Sequence, residues 1–177
     1  MNQKPHTSLY NIVLIGFMGT GKTVISEQLG RSCGMEIIDM DKIISEREGI
    51  SIQEIFSICG EEYFRDLETN LLIELQSKQN CIISCGGGAV MRDGNVQKMK
   101  NIGNVFLLKA KPETVYERIK NNDDRPLLKG RKSIESISEL MEMRRLKYEA
   151  AADIIIETDH KSIEEICIEI INRNKGD

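Results

Sequence analysis

Short, uninterrupted apolar runs alternate along the chain with longer stretches in which apolar residues recur every three or four positions. The apolar runs are residues 11–15, 36–39, 81–85, 105–108 and 153–157. They are rich in Ile and Val and do not alternate with polar residues. They therefore predict strands that are buried on both faces, as in a parallel sheet covered by helices.

The stretches between these runs predict helices. Residues 22–33 follow the first run, and residues 111–122 place Pro112 at a typical helix start. Residues 61–78 carry one apolar stripe, formed by Phe64, Leu67, Leu71, Leu72 and Leu75. Residues 161–174 carry another, formed by Ile163, Ile166, Ile170 and Ile171. This alternation of strands and helices predicts an α/β fold with an open, mostly parallel sheet.

The size and composition are those of one ordinary globular domain. The chain has 177 residues, of which 40% are hydrophobic and 29% are charged, so we assign residues 1–177 to a single domain. The net charge of -4 argues against a protein that coats nucleic acid. A few local arginines could still bind a small anionic ligand.

Several features of the sequence bear on location. No apolar run reaches the roughly 18–20 residues of a membrane span. Residues 1–9 lack the apolar centre of a secretory signal, and we expect them to form a loose N-terminal tail. The five cysteines contain no Cys-x-x-Cys pair, which favours reduced thiols in a cytoplasmic protein. A zinc site at Cys81 and Cys85 stays open as an alternative, although it lacks partner ligands.

The segment GFMGTGKT, residues 16–23, has the spacing of a phosphate-binding loop. It stands between a predicted strand and a predicted helix, which is the context that such a loop requires. Glycines let backbone N–H groups turn toward phosphate oxygens, and the helix N-terminus adds partial positive charge. Lys22 could reach the β- and γ-phosphates of a nucleotide, and Thr23 could bind Mg²⁺. The alternative is a glycine-rich turn without catalytic meaning.

Two carboxylates follow the second predicted strand, where ligands of doubly wound sheets bind. Of Asp39 and Asp41, one could organise Mg²⁺ and the other could accept a proton from a substrate hydroxyl. Alternatively, Asp41 only caps the next helix. The third predicted strand has no acid at its end, so Asp39 is our candidate for the carboxylate near the metal.

Three glycines, Gly86, Gly87 and Gly88, close the third predicted strand. Such a triplet allows the backbone to approach a ligand closely. It could instead be a flexible connection between the strand and the following helix.

Arginines supply the positive charge that an anionic substrate requires. Arg65 lies on the predicted helix 61–78, where it could form an ordinary surface ion pair with Glu62 or Glu68. Arg144 and Arg145 are neighbours on a later helix. Adjacent helical residues point about 100° apart, so we expect at most one of these two to face the site.

A polar stretch with one proline and one glycine covers about residues 121–133. Loops of this length are uncommon in compact domains, and many of them are functional lids; the alternative is a tolerated surface insertion. Arg125 lies in this stretch, and an arginine on a lid could close over the transferring phosphoryl oxygens.

In combination, these motifs resemble the shikimate kinase family over roughly residues 9–172. The matching segments, in chain order, are GFMGTGKT, DMD, IFSICGEEYFRDLE, GGGAV, RPLL and RRLKYEAAAD. Many enzymes share the phosphate loop alone, but the whole series in this order is far more specific.

The resemblance implies a phosphate-loop fold similar to nucleoside monophosphate kinases, with five parallel strands, helices on both faces and a lid at about 121–133. It implies a substrate-binding region at about 34–62. It also implies ATP-dependent phosphorylation of the 3-hydroxyl of shikimate, on the pathway to chorismate and the aromatic amino acids, with Mg²⁺. Shikimate is then a small-molecule substrate. We expect a monomer without nucleic-acid or membrane partners.

Carried over residue by residue, the resemblance also implies roles for individual side chains. The ATP phosphates would be held by Gly19, Thr20, Gly21, Lys22, Thr23 and Val24. Thr23 would bind Mg²⁺ directly and Asp39 through water. Lys22 and the lid residue Arg125 would act on the transferring phosphoryl group, and Lys161 falls where the family contacts adenine.

The acceptor side follows from the same resemblance. Asp41 would contact the substrate hydroxyls and orient or deprotonate the attacking one. Arg65 and Arg144 would bind the shikimate carboxylate, with Phe56 and Phe64 as apolar walls. The pocket would be lined by Gly86, Gly87 and Gly88.

The chain departs from the family pattern at residues 144–148, where members often read Arg-x-Pro-Leu-Tyr and this chain reads RRLKY. The spacing from arginine to tyrosine survives, which favours Arg144 over Arg145. The missing proline weakens that choice.

Two other classes of function stay open. A kinase for gluconate or a nucleoside monophosphate would share the phosphate loop and the lid. A nucleotide-dependent switch should carry an Asn-Lys-x-Asp motif for guanine, and the segment NNDD at 121–124 lacks the lysine.

Overall fold

The computed structural model describes residues 10–120 and 133–174. In chain order the elements are β1 (Ile12–Gly16), α1 (Lys22–Cys33), β2 (Glu36–Asp39), α2 (Met40–Glu48), α3 (Ile52–Ile58), α4 (Gly60–Leu75), β3 (Cys81–Ser84), a short 3₁₀ helix (Ala89–Met91), α5 (Asp93–Ile102), β4 (Asn104–Lys109), α6 (Pro112–Ile119), α7 (Ile134–Ala151), β5 (Ile154–Glu157) and α8 (Ile163–Arg173). All five strands lie within one residue of their predicted bounds. The predicted tail 1–9 and residues 121–132 of the predicted lid lie outside the described residues.

The five strands form one parallel sheet in the order β2-β3-β1-β4-β5. Ser84 on β3 pairs with Leu14 on β1 and with Asp39 on β2. The carboxyl ends of these three strands therefore meet at one edge of the sheet. The segments that follow them, which carry the phosphate loop, the two aspartates and the glycine triplet, begin side by side.

The sheet has a separate apolar core on each face. Val13 and Ile15 point into the larger core, which includes buried residues of α4, α5 and α7. Ile12 and Leu14 point to the other side, where α1 and α8 pack. Helices therefore cover both faces, as predicted. Of the helices in the described part of the chain, none combines the length and apolar character needed to span a lipid bilayer.

The prediction that every strand is buried on both faces is wrong at the two edges of the sheet. Ile37 on β2 is 42% exposed and Ile155 on β5 is 39% exposed. Each of these strands has a neighbour on one side only, and one side chain on each stays open to solvent. On α8, the predicted stripe is likewise incomplete, since Ile163 is 41% exposed whereas Ile166 is buried.

Short sequence signals fix the ends of several helices. Ser51 caps the start of α3 and Ser162 caps the start of α8, each in a capping box. In each box the side chains of the serine and of a glutamate three residues later accept a hydrogen bond from the other residue's backbone N–H. Gly34 and Gly49 end α1 and α2 in the left-handed conformation, where a residue with a Cβ atom would be strained.

Candidate active site

The phosphate loop runs from the end of β1 to the start of α1, as predicted. Gly19 has a φ of 76°, and a Cβ atom there would lie 2.8 Å from Ile119 Cγ2. A Cβ atom on Gly16 would lie 2.6 Å from the backbone oxygen of Leu108. Both positions therefore require glycine because of close packing as well as backbone conformation.

Two cations contact the backbone carbonyl oxygens of this loop. Lys22 Nζ donates hydrogen bonds to Gly16 O at 2.8 Å and to Phe17 O at 3.1 Å. Arg118, on α6, donates to Gly19 O at 3.0 Å. Two positive charges therefore lie at the loop and the N-terminus of α1, where an anion is favoured.

A cleft of about 460 Å³ runs from this loop to the ends of β2 and β3. The predicted site residues that line it are Gly19, Thr20, Gly21, Lys22, Thr23, Val24, Asp39, Asp41, Phe56, Phe64, Arg65, Gly86, Gly87, Gly88, Arg144 and Lys161. Every predicted site residue that the structure describes therefore borders the same cleft. Arg125 lies outside the described residues.

The helix cap after β2 belongs to Asp39 and not to Asp41. Asp39 is the N-cap residue of α2, and its Oδ1 accepts a hydrogen bond from the backbone N–H of Lys42 at 3.1 Å. Asp41 lies within the first turn of α2 and lines the cleft. The alternative that Asp41 only caps the helix is wrong, because the helix begins one residue before it.

Arg65 is a buried residue, so the interpretation of an ordinary surface ion pair is wrong. It is 5% exposed and binds Glu68 Oε2 at 2.6 Å and Glu61 Oε1 at 2.8 Å. Of the two predicted partners only Glu68 is correct, since Glu62 pairs with Arg92 instead. The guanidinium also lies 5.8 Å and 5.5 Å from the ring centroids of Phe56 and Phe64, within the range of cation–π attraction.

Glu68 is a buried carboxylate that the sequence analysis considered only as a possible surface partner of Arg65. It is fully buried, and its Oε1 accepts no hydrogen bond from the residues that the structure describes. Burial raises the pKa of Glu68 to about 7, against the charge and hydrogen bond of Arg65, which lower it; Asp41 raises it further. The signals for its role were its position three residues after Arg65 and its place at the end of the matching segment IFSICGEEYFRDLE.

The three glycines of the triplet face three different parts of the site. A Cβ atom on Gly86 would lie 2.6 Å from Glu68 Oε1 and 2.7 Å from Asp41 Oδ1. One on Gly88 would overlap the guanidinium of Arg65. One on Gly87 would lie 3.7 Å from Gly16 O, beside the phosphate loop. The triplet therefore lets the acidic pair, the arginine and the loop approach one stretch of backbone.

The two arginines of α7 point to different places, as helix geometry predicted. Arg144 lines the cleft. Arg145 pairs with Glu142 and Glu149 at 3.0 Å outside it. This finding supports the choice of Arg144 despite the missing proline.

The cleft is also lined by residues of α8 and of the segment before it. Ile163 and Ile166 of α8 add apolar surface, and Lys161 binds Glu169 at 2.6 Å. Arg118 of α6 lines the cleft as well. The sequence analysis missed it; its signal was its position on the helix that precedes the predicted lid.

The predicted metal ligands fit a magnesium ion bound mainly through a nucleotide. Thr23 and Asp39 both line the cleft, and both carry the oxygen atoms that Mg²⁺ prefers. Residues 10–120 and 133–174 contain no group of three or more His, Cys, Asp or Glu side chains that could enclose a metal. Mg²⁺ commonly takes one or two protein ligands and completes its shell with waters and phosphates, so this donor set suits it.

Comparisons of sequence and structure with known proteins give one consistent result. The family model described as "Shikimate kinase" matches residues 18–175. A curated shikimate kinase of Persephonella marina is 43% identical over 163 residues, which cover 92% of this chain and 98% of the relative. The solved shikimate kinase of Acinetobacter baumannii, in complex with shikimate, has a TM-score of 0.88 at 32% identity and covers 93% of this chain and 92% of its own.

A gluconokinase of Sinorhizobium meliloti is also similar in structure, with a TM-score of 0.58 at 18% identity over 93% of this chain and 91% of its own. At this identity the likeness shows a shared fold and nothing about the acceptor.

Proposed function

The chain belongs to the shikimate kinase family, and we propose that the cleft described above is where it carries out the reaction of that family. That reaction transfers the γ-phosphoryl group of ATP to the 3-hydroxyl of shikimate, giving shikimate 3-phosphate and ADP on the pathway to chorismate. One observation carries the assignment of the cleft: the phosphate loop with Lys22 and the acceptor residues Asp41 and Arg65 line the same cavity.

The loop binds the donor. Backbone N–H groups from Gly19 to Val24 and the N-terminus of α1 hold the phosphates of ATP. Lys22, now bound to two loop carbonyls, moves its Nζ onto the β- and γ-phosphate oxygens. A fixed positive charge there stabilises the negative charge that develops during transfer. Lys161 is proposed to contact the adenine.

The opposite half of the cleft binds the acceptor. Shikimate is a small ring with one carboxylate and three hydroxyls. Arg65 and Arg144 present guanidinium groups that match its carboxylate. The rings of Phe56 and Phe64, 4.8 Å apart, form an apolar wall for the carbon ring. The carboxylate of Asp41 accepts a hydrogen bond from the hydroxyl that attacks.

The glycine triplet completes the acceptor pocket. Gly86, Gly87 and Gly88 present bare backbone, with Gly87 proposed to donate an N–H contact to the substrate. Alignment of the two reactants is the main catalytic requirement of phosphoryl transfer, so these fixed contacts supply much of the rate enhancement.

Mg²⁺ would be held by Thr23 directly and by Asp39 through water, both of which border the cleft. When bound, the ion neutralises charge on the β- and γ-phosphates.

The remaining proposals concern parts of the protein that lie outside the described residues or beyond the comparisons. Arg125 is proposed to belong to a lid at about 121–133 and to act on the transferring phosphoryl group. The lid is proposed to exclude water from the cleft. Residues 34–62 are proposed as the region that binds shikimate. The protein is proposed to be a cytoplasmic monomer without nucleic-acid or membrane partners, which its net charge of -4 supports for nucleic acid.

A coupled assay of ADP formation tests the function directly. The protein is incubated with ATP and Mg²⁺ and, separately, with shikimate, gluconate or AMP as acceptor. We expect turnover with shikimate and no more than background ATP hydrolysis with the other two. Turnover with gluconate or AMP and none with shikimate would refute the acceptor. A preference for GTP over ATP without transfer to any acceptor would favour a nucleotide-dependent switch.

A further inference from the structure

The hydroxyl of Tyr148 reaches from α7 to the glycine triplet of the acceptor pocket. Tyr148 lies on the last turn of α7, is 5% exposed, and donates a hydrogen bond through Oη to Gly87 O. Arg144 stands four residues earlier on the same face of α7 and lines the cleft. The hydrogen bond thus connects the helix that carries Arg144 with the glycine triplet, 61 residues away in sequence.

This hydrogen bond holds the one carbonyl of the triplet that no backbone N–H of the described residues binds. Glycine has the widest conformational freedom of all residues, and three in a row form a soft connection. The carbonyls of Gly86 and Gly88 accept hydrogen bonds from Ala89 N at 3.1 Å and Met91 N at 2.9 Å. Tyr148 holds the carbonyl between them. Because the peptide is planar and trans, holding Gly87 O also sets the direction of the Gly88 N–H.

The phenol of Tyr148 keeps its proton at neutral pH. Burial raises the pKa of Tyr148 to about 12, although the charges of Arg144 and Arg65 lower it and Glu68 raises it. The hydroxyl can therefore donate its hydrogen bond to Gly87 O throughout the neutral pH range.

We propose that Tyr148 is a positioning residue of the acceptor pocket, whose hydroxyl fixes the peptide between Gly87 and Gly88. The bare backbone that the triplet presents to the substrate is then held in place by a side chain of α7. This inference rests on the role that the proposed function gives to the triplet.

Tyr148→Phe tests the proposal, because it keeps the buried ring and removes only the hydroxyl. We expect the KM for shikimate to rise by about five- to tenfold, as the loss of one buried hydrogen bond implies. The KM for ATP and kcat should change by less than about twofold, because the contact is not on the phosphate loop. An unchanged KM for shikimate, or an equal rise for both substrates, would overturn the proposal.

Tyr63→Phe is the matched control. Its hydroxyl also donates a hydrogen bond, to Glu48 Oε2 at 2.9 Å, but it lies on the exposed side of α4. Both variants can lose some thermal stability. Only Tyr148→Phe should raise the KM for shikimate while it leaves the KM for ATP nearly unchanged. If Tyr63→Phe raises the KM for shikimate as much, the effect belongs to general stability and the proposal fails.

Arg144→Ala separates this inference from the proposed function. If the cleft binds shikimate as proposed, this variant raises the KM for shikimate whether or not Tyr148 has a role. A raised KM in Arg144→Ala with none in Tyr148→Phe would overturn the role of Tyr148 alone. An unchanged KM in Arg144→Ala would overturn the proposed acceptor pocket and this inference with it.

Discussion

The guanidinium of Arg65 occupies the space that a side chain at Gly88 would need. A Cβ atom at Gly88 would overlap the guanidinium of Arg65, which binds Glu68 at 2.6 Å and is almost completely buried. The backbone of Gly88 has an ordinary φ of -106°, so the glycine is required by this neighbour and not by its own conformation. The position of the arginine and the presence of the triplet therefore depend on each other.

Gly88→Ala should weaken shikimate binding without straining the backbone. The new methyl group displaces the Arg65 guanidinium, so we expect the KM for shikimate to rise by at least about tenfold, the loss of one charge-assisted hydrogen bond or more. The KM for ATP should stay within about twofold. Steady-state kinetics with each substrate varied in turn measures both values.

Gly94→Ala is the control for this substitution. A Cβ atom there meets only Lys98 Nζ at 3.7 Å, on α5 and outside the cleft. It should leave both KM values unchanged. A normal KM for shikimate in Gly88→Ala would show that the Arg65 guanidinium can move without loss of binding.

Arg65→Ala should weaken the binding of shikimate far more than the binding of ATP. It removes a proposed carboxylate ligand and leaves Glu68 buried without its partner, so we expect shikimate affinity to fall by about a hundredfold and Tm to drop. ATP affinity should fall far less. Isothermal titration with each ligand measures both.

Arg92→Ala provides the comparison for Arg65→Ala, since Arg92 also pairs with two carboxylates, Glu62 and Asp66, but on the surface. It should change neither affinity. Equal weakening of shikimate and ATP binding by Arg65→Ala would contradict the assignment of this arginine to the acceptor.

Lys22→Ala should lower kcat strongly and leave the fold intact. The lysine supplies a fixed positive charge at the phosphates, and loss of one such group typically costs about 10²–10³-fold in kcat. Lys98→Ala is a matched control, because Lys98 Nζ also donates to a backbone carbonyl, Gly94 O at 3.0 Å, away from the cleft. Single-turnover kinetics measures the loss of phosphoryl transfer, and circular dichroism checks that the variant is folded. Normal turnover in folded Lys22→Ala would contradict it.

Glu68 should make the stability of the protein depend on pH. Its folded pKa of about 7 lies above the ordinary value of 4.5, so the folded state binds the proton more tightly than the unfolded state. The contribution of Glu68 to stability is therefore greatest below pH 4.5 and is lost as the pH rises through about 7. We expect the Tm of the wild type to fall relative to that of Glu68→Gln between about pH 5 and pH 8.

The control for this pH dependence is Glu54→Gln. Hydrogen bonds from Ser51 lower the pKa of Glu54, so its contribution is lost only at acid pH and should be constant over the same window. Differential scanning fluorimetry in a series of buffers is sufficient. If the difference in Tm between wild type and Glu68→Gln does not change with pH, or changes in the opposite direction, then Glu68 is not held in its neutral form.

The strands, the loop and the general location of the site could be predicted from the sequence because each rests on a local pattern. Continuous apolar runs rich in Ile and Val are typical of buried strands. The spacing of Gly16, Gly21, Lys22 and Thr23, between a predicted strand and a predicted helix, indicates a phosphate loop. Parallel strands then bring their carboxyl ends to one edge of the sheet, which is why Asp41 and Gly87 could be placed near the loop.

The remaining features depend on packing between distant segments, which one sequence does not reveal. The burial of Arg65 follows from the face that α4 turns toward the triplet, and local spacing suggested only a surface pair. The hydrogen bond between Tyr148 and Gly87 spans 61 residues. The alternative that Asp41 caps α2 missed the true cap, Asp39, because helix ends are uncertain by one or two residues in sequence patterns.

The most direct test is a crystal structure of the wild-type protein with ADP, Mg²⁺ and shikimate. We predict ADP phosphates on the loop at Lys22, the shikimate carboxylate between Arg65 and Arg144, and the 3-hydroxyl within hydrogen-bond distance of Asp41. Shikimate bound away from these side chains, or Asp41 without contact to any of its hydroxyls, would contradict the claim that loop and acceptor pocket form one reaction site.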